Sequence, residues 1–467
     1  MKNCLLFLAL FSLALSVSSQ TDKRLAGSSR YEKAGWIYIH LEGSPAQIGF
    51  QHGYLLAPEI DDALKMFKYF YPKTTGRDWA FYRKAAHDLF IPKIEKEYID
   101  ELNGMVEGLK AKGKNYDLED MVVSNGVIEL AQYYVPWLDE KKKPGSGLNK
   151  APGNCSAFIA NGDYTSDGKI VMGHNAWTDF IVGERWNIIA DIVPEKGYRM
   201  FMDIFPGWIQ SGDDFAINGA GMLITETTIT QFNGFNEKGS PEFVRSRRAE
   251  QYAGSIDDFV RIMVKDNNGG YANDWLVGNI NTNEIARLEL GLKNHRVWRT
   301  KNGMYVGSNF ASDPKLIAEE TNFKTNDRNS SPNARKLRWE TLQKEYKGKI
   351  NPETGMQMES DSYNQLKNAK EASRCVIAGR TDNDPKGCPE WGWKPYYPGG
   401  TVQGKITTSA LAREFKFWAH MGNTSGDDFI AAPFFQLHPE YKWQSAFLHD
   451  MKSHPWTLFE ADRKKLP

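Results

Sequence analysis

In Gly153-Asn154-Cys155-Ser156-Ala157-Phe158-Ile159-Ala160 the run Cys155 to Ala160 is a short strand entered from a charged, glycine-rich approach. A turn-rich connection, Asn161-Gly162-Asp163-Tyr164-Thr165-Ser166-Asp167-Gly168, leads to a second strand over Lys169 to Trp177. On the first strand Cys155, Ala157 and Ile159 share a face by the two-residue period. On the second, Ile170, Met172 and His174 share a face, opposite Val171, Gly173 and Asn175. A hairpin between the two strands brings Cys155 to the His174-Asn175 end of its partner.

Outward from this hairpin the sequence predicts more strands at Trp186 to Val193, Arg199 to Phe205, Asp214 to Ile217 and Gly221 to Thr228. Helices follow over Val244 to Tyr252 and Ile256 to Val264, then strands near Asp274 to Ile280, Glu284 to Leu290 and His295 to Thr300. Upstream, from about Tyr31 to Trp137, the chain is mostly helical in character. Ser44-Pro45 opens a helix with Pro in its first turn, and Gly49 and Gly53 lie four apart on one face, where small residues let another element approach closely. Further helices are expected over Ile60 to Tyr71, Trp79 to Leu89 and Ile94 to Lys110, the last with an apolar face marked by Leu102, Val106 and Leu109. Helices, many consecutive antiparallel strands and helices again imply an α+β protein in layers, with a pair of sheets inside.

The segment Asp139 to Gly153, with Lys141-Lys142-Lys143-Pro144-Gly145-Ser146-Gly147, follows no apolar period. It reads either as an ordinary connector or as a processing region. The expected organisation is therefore a leader over residues 1–19, a mostly helical part over 20–138, a processing linker over 139–154 and a core over 155–467.

Composition narrows the function class. The 467 residues carry 58 Lys+Arg against 58 Asp+Glu, so the broad basic footprint of a general nucleic-acid binder is absent. With 41% hydrophobic and 13% aromatic residues the chain is not a disordered one. Lys2, the apolar run Leu5 to Leu15 and the exit Ser16-Val17-Ser18-Ser19-Gln20 have the pattern of a secretory signal peptide, with Gln20 as the mature start. The alternative, an uncleaved anchor, requires a longer apolar run, and no later stretch is apolar and long enough to span a bilayer. The expected location is outside the cytosol: secreted, periplasmic or in a lysosome-like lumen.

Removing the leader leaves Cys155, Cys375 and Cys388. In an oxidising compartment Cys375 pairs most simply with Cys388 across a short loop, and Cys155 is left odd, either buried and inert or reactive. No CxxC pair, HExxH motif or compact histidine cluster is present, and His438, His449 and His454 have no ligand-like spacing, so neither a metal site nor a cofactor is expected. No Gly-x-Ser-x-Gly elbow of a serine esterase occurs. Asn329-Ser330-Ser331 and Asn423-Thr424-Ser425 are glycosylation sequons; Asn154-Cys155-Ser156 also fits formally, but a glycan there would crowd the adjacent peptide bond. The basic run Arg245-Ser246-Arg247-Arg248 reads as a solvated helix face.

A cysteine at the junction of an irregular loop and a strand can be turned on its own upstream peptide bond. Attack by the Cys155 sulfur on the Asn154 carbonyl forms a thioester by an N-to-S acyl shift, and hydrolysis frees Cys155 as a new N-terminus. The liberated α-amine, with a reference pKa of about 7.7 to 8.0, suits a base for the neighbouring thiol.

Asn154-Cys155-Ser156-Ala157 followed by Gly173-His174-Asn175-Ala176-Trp177 resembles the phospholipase B-like family of N-terminal-nucleophile hydrolases. The likeness continues through Ser211-Gly212-Asp213-Asp214-Phe215, Thr225-Glu226-Thr227-Thr228-Ile229, Asn273-Asp274-Trp275 and Ser331-Pro332-Asn333-Ala334-Arg335. It closes with Gly399-Gly400-Thr401-Val402, Lys405-Ile406-Thr407-Thr408-Ser409 and Ser453-His454-Pro455-Trp456-Thr457. Upstream, Gly49-Phe50-Gln51-His52-Gly53 is similar to isopenicillin N acyltransferase-like relatives.

The resemblance implies a four-layer αββα fold and a proenzyme that cuts itself between Asn154 and Cys155, its two fragments staying together. It implies that Cys155 is the nucleophile, with its own amine as base, and that phospholipids are deacylated. His174, Asn175 and Trp177 would line the site, with Thr228 in the block after the central strands. Asn309 matches the place of an oxyanion donor and Arg335 that of a pocket arginine, with Arg380 a competitor. Each has a plainer reading: His174 a strand histidine bonded to a carbonyl, Trp177 a core residue, Asn309 a cap on the turn at Ser308, Arg335 part of a solvated helix face. Two other functions stay open, hydrolysis of an N-acyl amide or small peptide and lipid binding without catalysis.

Overall fold

The computed structural model describes residues 22–143 and 155–462. The expected leader, Asn154 and most of the processing linker lie outside the described residues. The chain first forms β1 (Ser29–Lys33) and β2 (Trp36–Gly43), then a helical stretch that includes Pro45–Leu55, Ala57–Thr75 and Lys96–Ala111. Next come β3 (Ser156–Asn161), β4 (Val171–Asp179), β5 (Ile188–Pro194), β6 (Met200–Ile204), β7 (Phe215–Asn218) and β8 (Met222–Thr228). Helices Glu242–Tyr252 and Ile256–Val264 precede β9 (Asn273–Asn279), β10 (Glu284–Leu290), β11 (His295–Thr300) and β12 (Gly303–Gly307). After helices Ser331–Glu345 and Pro352–Glu359 the chain adds the short β13 (Tyr363–Asn364) and β14 (Ala369–Lys370), then β15 (Gly399–Thr408), β16 (Lys416–Met421) and β17 (Thr457–Glu460).

Two large sheets result, one of nine strands in the order β1-β2-β5-β6-β7-β8-β9-β10-β11 and one of six in the order β12-β3-β4-β15-β16-β17, while β13 and β14 pair apart from both. Strand alternation sorts their side chains into three apolar layers. Ile189, Phe201, Leu223 and Leu276 of the first sheet meet Ala157, Ile159, Met172 and Phe417 of the second between the sheets. The other face of the nine-stranded sheet, with Ile39, Met202 and Ile224, packs on Ile60, Phe67 and Met105 of the N-terminal helices. The other face of the six-stranded sheet, with Phe158, Val171 and Ile406, packs on Trp339, Leu342 and Met358. The fold is the expected four-layer αββα sandwich.

Three expectations change. The N-terminal part is not only helical: β1 and β2 belong to the nine-stranded sheet, β2 pairing in parallel with β5. Residues Trp36 to Leu41 are buried on both faces, so they lack the polar alternation that marks a half-exposed strand. The basic run at Arg245 is not solvated, since Arg245 and Arg247 are both buried. Arg247 makes a bidentate pair with Glu101 at 3.0 and 2.8 Å, while Arg245 donates to the Met263 carbonyl. The start of the expected linker is also ordered, because helix Val135–Lys142 runs into it.

The paired glycines do what their spacing suggests, and more. A methyl group on Gly49 would overlap the Glu101 carbonyl and one on Gly53 the Met105 carbonyl. In return, Gly104 and Gly108 of the second helix abut the Ala46 and Phe50 carbonyls. Four glycines therefore let helices Pro45–Leu55 and Lys96–Ala111 touch backbone to backbone. Gly53→Val is expected to cost about 3 kcal/mol or more, since the obstacle is main chain and not a side chain that can turn away. A lowered urea midpoint measures it, and an unchanged midpoint would show that the helices separate freely.

Candidate active site

The register joins Ser156 to Asn175 and Ala157 to His174, so the β3–β4 hairpin brings Cys155 to the end of β4 as expected. Cys155, just before β3, is buried and holds a backbone φ of +102°, a region that side chains beyond glycine rarely occupy. Its Sγ lies 3.9 Å from Asp214 Oδ1. His174 Nε2 lies 3.8 Å from the same oxygen. Lys405, opposite His174 in the β4–β15 register, places Nζ 3.2 Å from Asp214 Oδ2 and 3.1 Å from Asp203 Oδ2. Glu226 on β8 completes the group.

Burial and the neighbouring charges favour the uncharged forms of the thiol, the Glu226 carboxyl and the His174 ring. Burial pushes the Cys155 thiol well above its ordinary range, and Asp214 and Glu226 push it further. Burial also raises Asp214, against the pull of Lys405. Glu226 is raised by burial and then by Asp213 and Asp214. His174 is driven the other way, kept neutral by burial and by Lys405. The sulfur of the uncut chain is thus a thiol, not a thiolate.

A second set of residues grips the main chain of Cys155. Arg335, fully buried in helix Ser331–Glu345, donates Nη1 to the Cys155 carbonyl at 2.6 Å and to Ser156 Oγ at 3.0 Å. Its Nη2 donates to Asn309 Oδ1 at 2.6 Å and its Nε to Ser331 Oγ at 3.1 Å. The guanidinium stacks 4.6 Å from the Trp177 ring centroid and 5.6 Å from that of Trp391. Burial lowers its pKa to about 10, still cationic at neutral pH. Arg335 is therefore neither solvated nor a surface charge.

The other expected residues divide. Trp177 is buried, donates Nε1 to the Ile377 carbonyl at 3.1 Å and walls the space at Cys155. Asn309 has φ of +70° and donates its amide to the Thr228 carbonyl at 3.0 Å while accepting from Arg335. Both ends of that amide are engaged, which makes it a support for Arg335. Thr228 Oγ1 donates to Tyr271 Oη at 2.8 Å, and Tyr271 lines the space at Cys155. Asn175 does not join: by strand alternation it faces away from His174 and donates to the Glu359 carbonyl of helix Pro352–Glu359. Arg380 pairs with Asp382 and the Asp428 carbonyl, away from Cys155.

The Cys375–Cys388 bridge is not formed; both are buried free thiols. They look into different surroundings, Cys388 into the Trp177–Trp391–Trp393 cluster and Cys375 into a cleft with Arg374 and Asp384. Asn423 is buried and donates to main-chain carbonyls, so as folded it offers no glycan site, whereas Asn329 is exposed.

Beside Cys155 the free space is only about 20 Å³, room for about one water. It shares Tyr71, Gln132 and Asp179 with a cavity of about 720 Å³ walled by Phe70, Trp391, Trp393, Tyr397 and Trp443. That volume lies in the range of small-molecule sites. Sequence reasoning missed Asp203, Asp214, Glu226 and Lys405 as site residues. The only signal for them was that Asp214, Glu226 and Lys405 fall in the blocks carrying the family resemblance.

Deeper in the sandwich, Glu250 accepts from the Ser211 N–H at 3.1 Å while its second oxygen is buried without a partner. Burial raises its pKa from 4.5 to about 8. The folded chain therefore keeps a proton that the unfolded chain has lost, and stability falls as pH rises between about 4.5 and 8, by up to about 1.4 kcal/mol per unit. Glu250→Gln is expected to shrink the difference in urea midpoint between about pH 5 and pH 8. An unaltered pH dependence would count against this assignment.

Two facing sheets between helical layers, with a cysteine at the head of a central strand, make the chain an αββα sandwich. The sequence profile of the Phospholipase B family matches residues 74–299, and over part of its length the chain is similar to phospholipase B-like proteins. It is 24% identical over 258 residues to Phospholipase B-like 1 of Homo sapiens, covering 49% of this chain and 46% of that protein. It is 24% identical over 211 residues to Phospholipase B-like protein C of Dictyostelium discoideum, covering 39% and 36%. An uncharacterized protein of Archaeoglobus fulgidus is 25% identical over 303 residues, covering 58% and 47%. The chain thus spans about half the length, or less, of these relatives. Among solved structures, a variant of conjugated bile acid hydrolase from Clostridium perfringens aligns with TM-score 0.30 and 11% identity, over 58% of this chain and 81% of that one.

Proposed function

We propose that the chain is the precursor of a cysteine hydrolase that frees Cys155 by self-cleavage and then releases fatty acyl groups from phospholipids outside the cytosol. One observation carries the reading: a buried thiol, on a residue in the left-handed region at the head of a central strand, stands beside an aromatic-walled cavity. Strain at φ of +102° raises the energy of the peptide bond into Cys155 and favours its exchange for a thioester.

In the first reaction Sγ adds to the Asn154 carbonyl, the C–N bond breaks, and the thiol proton passes to the nitrogen, which leaves as the Cys155 amine. Water then cleaves the thioester, leaving a carboxyl on Asn154 and a thiol on Cys155. Arg335, holding the Cys155 carbonyl, keeps the residue aligned while its upstream bond is exchanged. In turnover the new amine takes the thiol proton and the sulfur adds to the ester carbonyl of the lipid. The amine returns the proton to the departing alcohol, and water releases the fatty acid. Asn309 acts through Arg335 as a positioning residue, and the cavity, aromatic on one part of its wall and carrying Lys73, Lys394 and Glu440 on another, receives the lipid with its acyl chain against the aromatic rings.

N-terminal sequencing of the purified protein, followed by incubation with a phosphatidylcholine vesicle and with an N-acyl amino acid, tests the reading. A fragment beginning at Cys155 and fatty acid from the phospholipid are expected. Release from the amide alone would overturn the substrate, and an intact, fully active chain would overturn self-cleavage.

A further inference from the structure

Four side chains that can bind a metal converge at Cys155. The thiol of Cys155, a ring nitrogen of His174 and carboxylate oxygens of Asp214 and Glu226 all lie within 4.8 Å of one another, and all four residues are buried. They come from four places in the chain: the head of β3, the middle of β4, the residue before β7 and the body of β8. A second observation points to a ligand in their midst. Both ring nitrogens of His174 and both carboxylate oxygens of Glu226 are buried without a hydrogen-bond partner. Buried polar atoms in native proteins are almost always satisfied, so an imidazole and a carboxylate side by side without partners are a costly arrangement.

We propose that this cluster binds one thiophilic divalent cation of the zinc class through Cys155, His174, Asp214 and Glu226. One thiolate, one imidazole and two carboxylates form a four-coordinate set that suits zinc better than the all-oxygen shells of calcium or magnesium. Bonds of about 2.0 to 2.3 Å place tetrahedral donors roughly 3.3 to 3.8 Å apart. The Cys155–Asp214 and His174–Asp214 separations, 3.9 and 3.8 Å, are already close to that. A thiolate and two carboxylates set three negative charges around a divalent ion, beside the Lys405 ammonium that Asp214 shares with Asp203, and the protons held by the free ligands leave to solvent on binding. Cys155 and Asp214 line a small space that shares Tyr71, Gln132 and Asp179 with the aromatic-walled cavity. Because the ion takes the sulfur lone pair, it holds Cys155 out of acyl attack; this consequence rests on the function proposed above, but the binding does not.

Titrating the metal-free full chain with cobalt(II) tests the site. At one equivalent we expect tetrahedral d–d bands and a near-ultraviolet thiolate-to-cobalt charge-transfer band, both displaced by one equivalent of zinc(II). Cys155→Ser removes the charge-transfer band, while His174→Gln and Glu226→Gln weaken cobalt binding about tenfold or more. X-ray absorption at the zinc edge of the unmutated protein reads the site without any variant, with one sulfur and three lighter donors expected. No charge-transfer band, its persistence in Cys155→Ser, its loss in Cys388→Ser instead, or a zinc shell lacking sulfur would each overturn the proposal. N-terminal sequencing reads self-cleavage separately, so either idea can fail alone.

Discussion

Cys155→Ala is expected to yield one uncut chain by intact mass and to release no fatty acid. The loss should reach about 10⁴-fold or more, because nucleophile and base are atoms of one residue and both are removed or masked together. Cys155→Ser retains a weaker nucleophile at the same place, so slow cleavage with little turnover is the expected contrast. The alanine variant should fold, since it deletes a single buried sulfur and leaves the Arg335 bond to the main-chain carbonyl intact. An alanine variant cut at the same position, or one that hydrolyses phospholipid at the native rate, would end the proposed chemistry.

Arg335→Met is expected to be nearly as damaging by another route. The guanidinium supplies hydrogen bonds to the Cys155 carbonyl, Ser156 Oγ, Asn309 Oδ1 and Ser331 Oγ, all in a region closed to water. Each acceptor left bare costs about 1 to 3 kcal/mol, so the combined loss is several kcal/mol. Arg335→Lys recovers little, because a single ammonium cannot span acceptors that a planar fork reaches from three nitrogens. Self-cleavage should slow in whatever fraction stays folded, since the carbonyl next to the exchanged bond is no longer held. The urea midpoint and the rate at which the Cys155 fragment appears measure the two effects separately. Native values for both would show that Arg335 does not position the nucleophile.

Much of this was legible in the chain. The faces of the central hairpin follow from alternation alone, and the same parity argument that places His174 with Cys155 turns Asn175 toward the helix behind. The glycine pair at 49 and 53 announced a close helix contact, though not that Gly104 and Gly108 answer it. What was hidden depended on distant partners. Arg245 to Arg248 looks like a wet helix face until Glu101, far back in the chain, is brought beside Arg247. β2 is apolar throughout because it is covered on both sides, so no period betrays it. The donors around the Cys155 sulfur come from separate places in the chain with no spacing rule between them, and only the assembled sandwich gathers them.

The strand headed by Cys155 lies between β12 and β4, while β1 and β2, which precede residue 155 in the chain, are built into the opposite sheet by the β2–β5 pairing. A nick at residue 155 would therefore release no piece. The two polypeptides are expected to migrate as one species in native electrophoresis and as two bands in detergent. Halves produced separately should fail to pair, because each would have to complete a sheet whose remaining strands belong to the other.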